Sequence, residues 1–384
     1  MKIAYVHTGK WPSNSPSFTF ATNNAVALAQ EFEECFLFVK NNSEKTSDEI
    51  INNELNISFP KNLTIIRFAN NSIINTNYFY YRNVFKTLKK LIRQNNVDIV
   101  ITRNPTFLKY LIKIKLKFKI KVYFETHDFY ANLKLRDDIN HSKKRKIEKI
   151  ENKFIPRIDG VICLQNSQKE LYEEHFPNVN IFVTRTGLRD IENINHEKKY
   201  VTYIGSLDKH KGVDQLIQAA AQSRSKPEIL IIGGKTEFEV EETKNIISNY
   251  YNPDYVKITG WINKKEMSEY LAKTAIGIIP LENTFFNKYL TSPLKLFDYY
   301  SFCIPVIASD LPSTRELIIE AKTGLFFGSV SDLADKIDEL LLSNCIIDEM
   351  RNNIQEYAQK FLWINRAKEL KKIFNLNSKS NLIE

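Results

Sequence analysis

Short apolar runs alternate with stretches of helical period, and the alternation starts twice along the chain. Ile3–Val6, Cys35–Val39, Leu63–Phe68, Asp98–Thr102, Lys121–Glu125 and Gly160–Leu164 have the length of strands and few charges inside them. Between them lie helical patterns: one around Ala25, Leu28 and Ala29, one with Val84, Leu88, Leu91 and Ile92 on a single face, and a basic one over 142–154. Strands separated by helices are joined by right-handed crossovers, which makes a parallel, doubly wound α/β sheet. Arg189–Lys199 (RDIENINHEKK) is polar and lacks apolar periodicity, so it reads as a linker. Beyond it the rhythm restarts: strands Tyr200–Gly205, Glu228–Gly233, Val256–Thr259, Ala275–Pro280 and Ile304–Ala308, a helix Val213–Ala221, then helical faces Leu333/Ile337/Leu340/Leu341 and Ile354/Tyr357/Ala358/Phe361. A last helix carries Trp363, Ala367, Leu370 and Phe374. Two doubly wound domains follow, at 1–190 and 199–361. Ligands of such sheets sit beyond the carboxyl ends of the strands, so the expected site lies in a cleft between the domains.

Charge and cysteine usage narrow the class. The 384 residues carry 54 Lys and Arg against 45 Asp and Glu, a formal charge of +9 that favours phosphorylated substrates or an anionic membrane surface. The cations are scattered and no recognition motif accompanies them, so no nucleic-acid partner is expected. Cys35, Cys163, Cys303 and Cys345 show no C-x-x-C spacing and read as buried thiols of a reducing compartment. MKIAYVH is a strand rather than a signal peptide, and no window has the length and apolarity of a membrane span, so a cytoplasmic protein is expected. Residues 108–122 (LKYLIKIKLKFKIKV) alternate Lys with apolar side chains. Either they touch an anionic membrane surface or they are a helix with snorkelling lysines running into a core strand.

Chemistry concentrates in Asn287–Glu316. Ser292 can cap a helix whose first turn holds Pro293, leaving the N–H groups of Leu294 and Lys295 at the positive end, a phosphate site. Asp298 lies one turn on, where a carboxylate accepts from ribose hydroxyls. Upstream, Gly205-Ser206-Leu207-Asp208-Lys209-His210-Lys211-Gly212 leaves a strand and opens a helix, which suits a phosphate turn. Ile231-Ile232-Gly233-Gly234-Lys235 and Ile258-Thr259-Gly260-Trp261-Ile262 are further strand-to-glycine turns, and Glu125-Thr126-His127-Asp128 ends a strand of the first half. His127 there can donate to a sugar hydroxyl or a developing charge.

These stretches resemble family 4 glycosyltransferases, retaining enzymes of the GT-B fold, in the variant where Ser-Pro-x-Lys-x-x-(Glu/Asp)-Tyr leads to Pro-Val-Ile-Ala-Ser. The resemblance implies two Rossmann-like domains, with the last helix (362–384) crossing back onto the first. It implies a nucleotide-diphosphate sugar donor and a glycan or lipid-linked saccharide acceptor, as in cell-surface polysaccharide assembly. The cations at the phosphates would be protein groups; there is no D-x-D, so no metal cofactor is expected. By the same resemblance His127 reaches the transferred sugar, and Gly205, Lys211, Gly233, Ser292, Leu294, Lys295 and Asp298 hold the nucleotide, with Trp261 or Ile262 near the base. The pattern departs in places. Leu290 stands where many members have a glutamate, Ser206 where they have the phosphate arginine, and Cys303 where they have a glycine; residues 8–20 contain only Gly9. Glu282 is a candidate stand-in for the missing acid, and Lys209 or Lys295 for the missing arginine. The alternatives are a GT-B nucleotide-sugar epimerase or phosphorylase, or a catalytically degenerate subunit that binds sugar or activates a partner transferase.

Overall fold

The computed structural model describes residues 1–13, 15–69, 77–192 and 197–379. The chain divides into two compact units, Met1–Thr186 with Trp363–Glu384, and Gly187–Leu362.

The first unit is built on a seven-stranded parallel sheet. Its strands are β1 (Lys2–Trp11), β2 (Glu34–Asn41), β3 (Leu63–Phe68), β4 (Ile99–Thr102), β5 (Lys121–Glu125), β6 (Gly160–Cys163) and β7 (Ile181–Val183), in the order β3-β2-β1-β4-β5-β6-β7. Pairing of Val6 with Thr102, and of Thr102 with Phe124, aligns the carboxyl ends of β4 and β5 beside the middle of β1. The helix Pro16–Glu31 packs against the C-terminal helix Trp363–Lys379, whose Trp363, Ala367, Leu370 and Phe374 enter the core with Ala25, Leu28 and Tyr123. The C-terminal helix thus belongs to the first unit.

The second unit has a six-stranded parallel sheet of β8 (Tyr200–Ile204), β9 (Ile229–Ile232), β10 (Val256–Ile258), β11 (Thr274–Ile279), β12 (Val306–Ser309) and β13 (Gly324–Phe327), ordered β10-β9-β8-β11-β12-β13. Its two faces carry separate apolar layers, one around Leu296, Tyr300 and Phe361, the other around Leu216, Ile276 and Ile337. Burial on both faces explains why the strands read as continuous apolar runs rather than as alternations.

Several expectations are refined. Strands β7 and β13 and the helix Ser47–Leu55 were not read from periodicity. The strands are three and four residues long; the helix is polar, held by a capping box between Thr46 and Glu49. The segment 108–122 supplies a βαβ unit: helix Pro105–Lys115 buries Leu108, Leu111, Ile112 and Ile114, and β5 follows. The polar stretch expected as a linker is tied to the second unit through Glu192 N–H to Ser301 O at 2.6 Å and Lys199 N–H to Lys273 O at 2.8 Å; residues 193–196 lie outside the described residues. Cys35, Cys163 and Cys303 are buried free thiols as expected, whereas Cys345 is exposed. Cys303 takes the left-handed turn after the helix Leu294–Ser301, with φ at 52°, although glycine is the usual residue for it.

Candidate active site

Both sheets reverse their winding direction once, between β1 and β4 in the first and between β8 and β11 in the second. Crevices open at such points beyond the carboxyl ends of the strands. The sequence-derived residues distribute between these two places.

In the second unit the turn after β8 and the turn after β9 meet on glycines. A Cβ on Gly233 would come 1.8 Å from Gly205 O, and one on Gly212 would come 1.8 Å from Pro280 O at the end of β11. Gly212 is the left-handed N-cap of the helix Val213–Gln222, with φ at 68°. No side chain fits at either contact without moving backbone, so these glycines hold the loops of adjacent strands together. Tyr203 donates its hydroxyl to Ser206 O at 2.5 Å, fixing the turn after β8.

Lys295 is the centre of this arrangement. Its Nζ is buried without a hydrogen-bond partner, sits 3.7 Å from the centroid of the Tyr203 ring, and lies where a Cβ on Gly205 would touch it at 3.4 Å. Burial, then the charge of Lys211, pull its pKa well below the ordinary value, with Asp298 opposing. Lys211 is also lowered by burial; its Nζ lies 6.0 Å from the Phe286 ring centroid. Two lysines therefore meet, with the Asp298 carboxylate acting on Lys295 and that of Asp208 on Lys211. Burial raises the pKa of that carboxylate, Asp298, to about 6, against the pull of Lys264 and Lys295.

The remaining nucleotide-site candidates fall around this centre with differences. Helix Leu294–Ser301 starts one residue later than expected: Pro293 is its cap and no side chain caps it, so Ser292 does not have the capping role. Its first turn holds Leu294, partly exposed, and Lys295. Trp261 stands exposed after β10, while Ile262 packs partly into the core, so Trp261 is the one presented to solvent. The side chain of Lys209 lies outside the described residues. Leu290 is buried at 2% exposure, an apolar plug at the acid position. Glu282 binds His210 Nδ1 at 2.8 Å, and the buried Asn287 donates to Glu282 O at 2.9 Å and His210 O at 3.2 Å, so one side chain ties the phosphate loop to the turn after β11.

In the first unit His127 Nε2 lies 3.0 Å from Glu125 Oε1. Glu125 is fully buried and also accepts from Tyr5 at 2.8 Å and from Arg366 Nη2 at 2.6 Å. Burial opposes its charge, but Arg366, His127 and Arg103 prevail and hold it at about 2. Burial and then Arg103 lower His127 to about 4, so its ring is neutral near pH 7. A neutral ring that donates Nε2–H to Glu125 leaves Nδ1 a lone pair. In that tautomer the ring can accept a hydrogen bond at Nδ1, whereas the expectation from sequence was a donor. Phe20 meets His127 and Trp363 edge-on, at 4.9 and 5.0 Å between ring centroids. His7, Arg103 and Arg366 complete this cluster and were not singled out by sequence; only topology brings residues 7, 103, 127 and 366 together.

Two family models match the chain, "Glycosyltransferase Family 4" over residues 19–189 and "Glycosyl transferases group 1" over 184–361. The chain belongs to the family 4 glycosyltransferases, with the GT-B fold. A chitobiosyldiphosphodolichol beta-mannosyltransferase from Debaryomyces hansenii is 21% identical over 72% of this chain and 67% of its own. Sucrose-phosphate synthase from Thermosynechococcus elongatus superposes with a TM-score of 0.75 at 16% identity, covering 99% of each chain. Anabaena HepE, crystallised with UDP, gives 0.72 at 14% identity over 98% of this chain and 100% of its own. No helix among the described residues is long and apolar enough to cross a membrane.

Proposed function

We propose that this glycosyltransferase moves a sugar, with retention of its anomeric configuration, from a nucleoside-diphosphate sugar to a hydroxyl of a glycan or lipid-linked saccharide in cell-surface polysaccharide assembly. One observation carries the donor class. Lys295 Nζ is buried without a partner beside Lys211 and under the Gly205 turn, and an unpaired buried ammonium is costly unless a ligand arrives to pair it. A diphosphate supplies that charge, the Gly205 and Gly233 turns admit its oxygens, and Asp298 takes the ribose hydroxyls. Trp261 offers a face to the base. Relatives support the class: HepE is crystallised with UDP and with UDP-glucose, and the fungal relative is named for transfer to chitobiosyldiphosphodolichol.

In this reading the bond between the sugar C1 and the phosphate oxygen breaks as the acceptor oxygen bonds C1 on the same face. The acceptor proton passes to the released diphosphate, whose growing charge Lys211 and Lys295 stabilise, so protein cations rather than a metal serve there. His127 offers its Nδ1 to a sugar hydroxyl. The helices Pro105–Lys115 and His141–Phe154 pack together and expose Lys109, Lys113, Lys146 and Lys149 near the 80% exposed Leu116, which favours attachment to an anionic membrane face and a cytoplasmic, peripheral location. Leu290 favours a second reading, a sugar-binding subunit without turnover.

Thermal shift with a panel of nucleoside diphosphates and nucleotide sugars tests the proposal on the wild type, Lys211→Ala and Asp298→Ala. At a hundredfold excess over Kd, a true ligand stabilises by about 2.7 kcal/mol. One nucleotide should stabilise the wild type and neither variant. Stabilisation by none would remove the donor reading, and binding without sugar release would select the subunit reading.

A further inference from the structure

The first unit holds a cation, Arg103, that stands beside its carboxylate without hydrogen-bonding to it. Arg103 follows β4, Glu125 ends β5 and His7 lies in β1, so all three emerge at the point where the sheet reverses. Glu125 is already satisfied by Tyr5, His127 and Arg366, whereas Arg103 Nε stays 3.8 Å from it, beyond hydrogen-bond reach. Arg103 and Arg366 both flank Glu125, Glu369 faces Arg366 in turn, and both histidines are held neutral. Arg103 Nη1 is buried and unpartnered, and so is Nε2 of His7, a side chain with 5% exposure. The guanidinium is pinned at 4.6 Å over the Phe20 ring. Gly9 leaves room for the imidazole, since a Cβ there would come 2.2 Å from His7 Nε2. Two buried polar atoms left open side by side, one of them on a guanidinium, describe a receptor for an anion.

We propose that the first unit selects a sugar substrate carrying an anionic group, a carboxylate or a phosphate, which Arg103 and His7 bind. The inference rests on the glycosyltransferase reading and narrows its substrate to uronic or phosphorylated sugars. His127, one side chain away, then takes a neighbouring hydroxyl of the same sugar.

The test uses the full chain at fixed ionic strength. Binding of glucose, glucuronic acid and glucose 6-phosphate is measured by calorimetry, alongside the nucleotide panel. An anionic sugar should bind at least tenfold tighter than glucose. Arg103→Gln should erase roughly ten- to a hundredfold of that preference, the range expected of a charge-assisted hydrogen bond, and leave the thermal shift by nucleoside diphosphate intact. A nucleotide-linked uronic acid, compared with its neutral counterpart, tells whether the anion arrives on donor or acceptor: an Arg103-dependent preference there assigns it to the donor. Equal binding of glucose and the anionic sugars, or a preference that survives Arg103→Gln, overturns the proposal. Failure of the nucleotide panel alone would instead overturn the donor reading. Should Arg103→Gln fail to fold, His7→Gln removes the imidazole while keeping an amide, and its loss of preference serves the same purpose.

Discussion

Asp298→Asn separates the cost of the nucleotide site from its use. Burial lifts the Asp298 carboxyl from its ordinary 3.8 to about 6, despite Lys264 and Lys295. A carboxyl whose folded pKa is raised favours folding fully below pH 3.8, and that contribution drains away as the pH climbs to 6. At about 1.36 kcal/mol per pH unit, keeping it ionised costs roughly 3 kcal/mol at neutral pH, trimmed by the solvent that still reaches it. Asparagine has the same shape and no charge. Without ligand at pH 7.5, the variant should therefore melt several degrees higher than the wild type, a domain of this size shifting about 2–4 °C per kcal/mol. The gap should close as the pH falls through 6 and vanish near 4. With nucleotide the order reverses: the wild type gains the ligand's stabilisation, while the variant loses charge-assisted bonds worth about 1.5–3 kcal/mol to the ribose. Scanning calorimetry from pH 4 to 8, with and without the nucleotide, reads both effects. Parallel melting curves across that range would refute the buried carboxylate, and full nucleotide stabilisation of Asp298→Asn would refute its role at the ribose.

Arg366→Met leaves the buried Glu125 without its closest cation and should destabilise the first unit by about 3–5 kcal/mol in urea, with part recovered in the double variant with Glu125→Gln. Gly212→Ala meets Pro280 O at 1.8 Å from a left-handed backbone, so a loss of roughly 2–4 kcal/mol is expected, together with a weaker nucleotide shift because the phosphate loop opens. Glu151, buried against Tyr130 and Tyr172, is raised to about 8 by burial, so the wild type should lose stability as the pH rises from 4.5 to 8. Glu151→Gln should flatten that slope in chemical denaturation, and an unchanged slope would show the carboxyl to be solvated. Lys295→Met should raise the melting temperature of the free protein and abolish its response to nucleoside diphosphate, the response being the decisive reading.

What the sequence shows and what it hides divide along one physical line. Apart from the short β7 and β13, the strands of both sheets are legible because burial on two faces writes them as apolar runs, and the loops of the second unit are legible because close backbone approach at Gly212 and Gly233 admits no side chain. Local chemistry of that kind lies within a few residues of chain. The first unit's polar cluster has no local signature: His7, Arg103, Glu125 and Arg366 are separated by as many as 359 positions (366 − 7), and each alone looks like an ordinary residue. Even the polarity of His127 escapes the sequence, because Glu125 decides which ring nitrogen carries the proton, and burial, aided by Arg103, keeps the ring neutral. The same distinction bears on the departures from the family pattern. Leu290 changes a contact that sequence can see, whereas the tie that Asn287, three residues earlier, makes between the backbone oxygens of Glu282 and His210 is one that only the fold shows, because it joins the loop after β8 to the turn after β11 across 72 positions of chain.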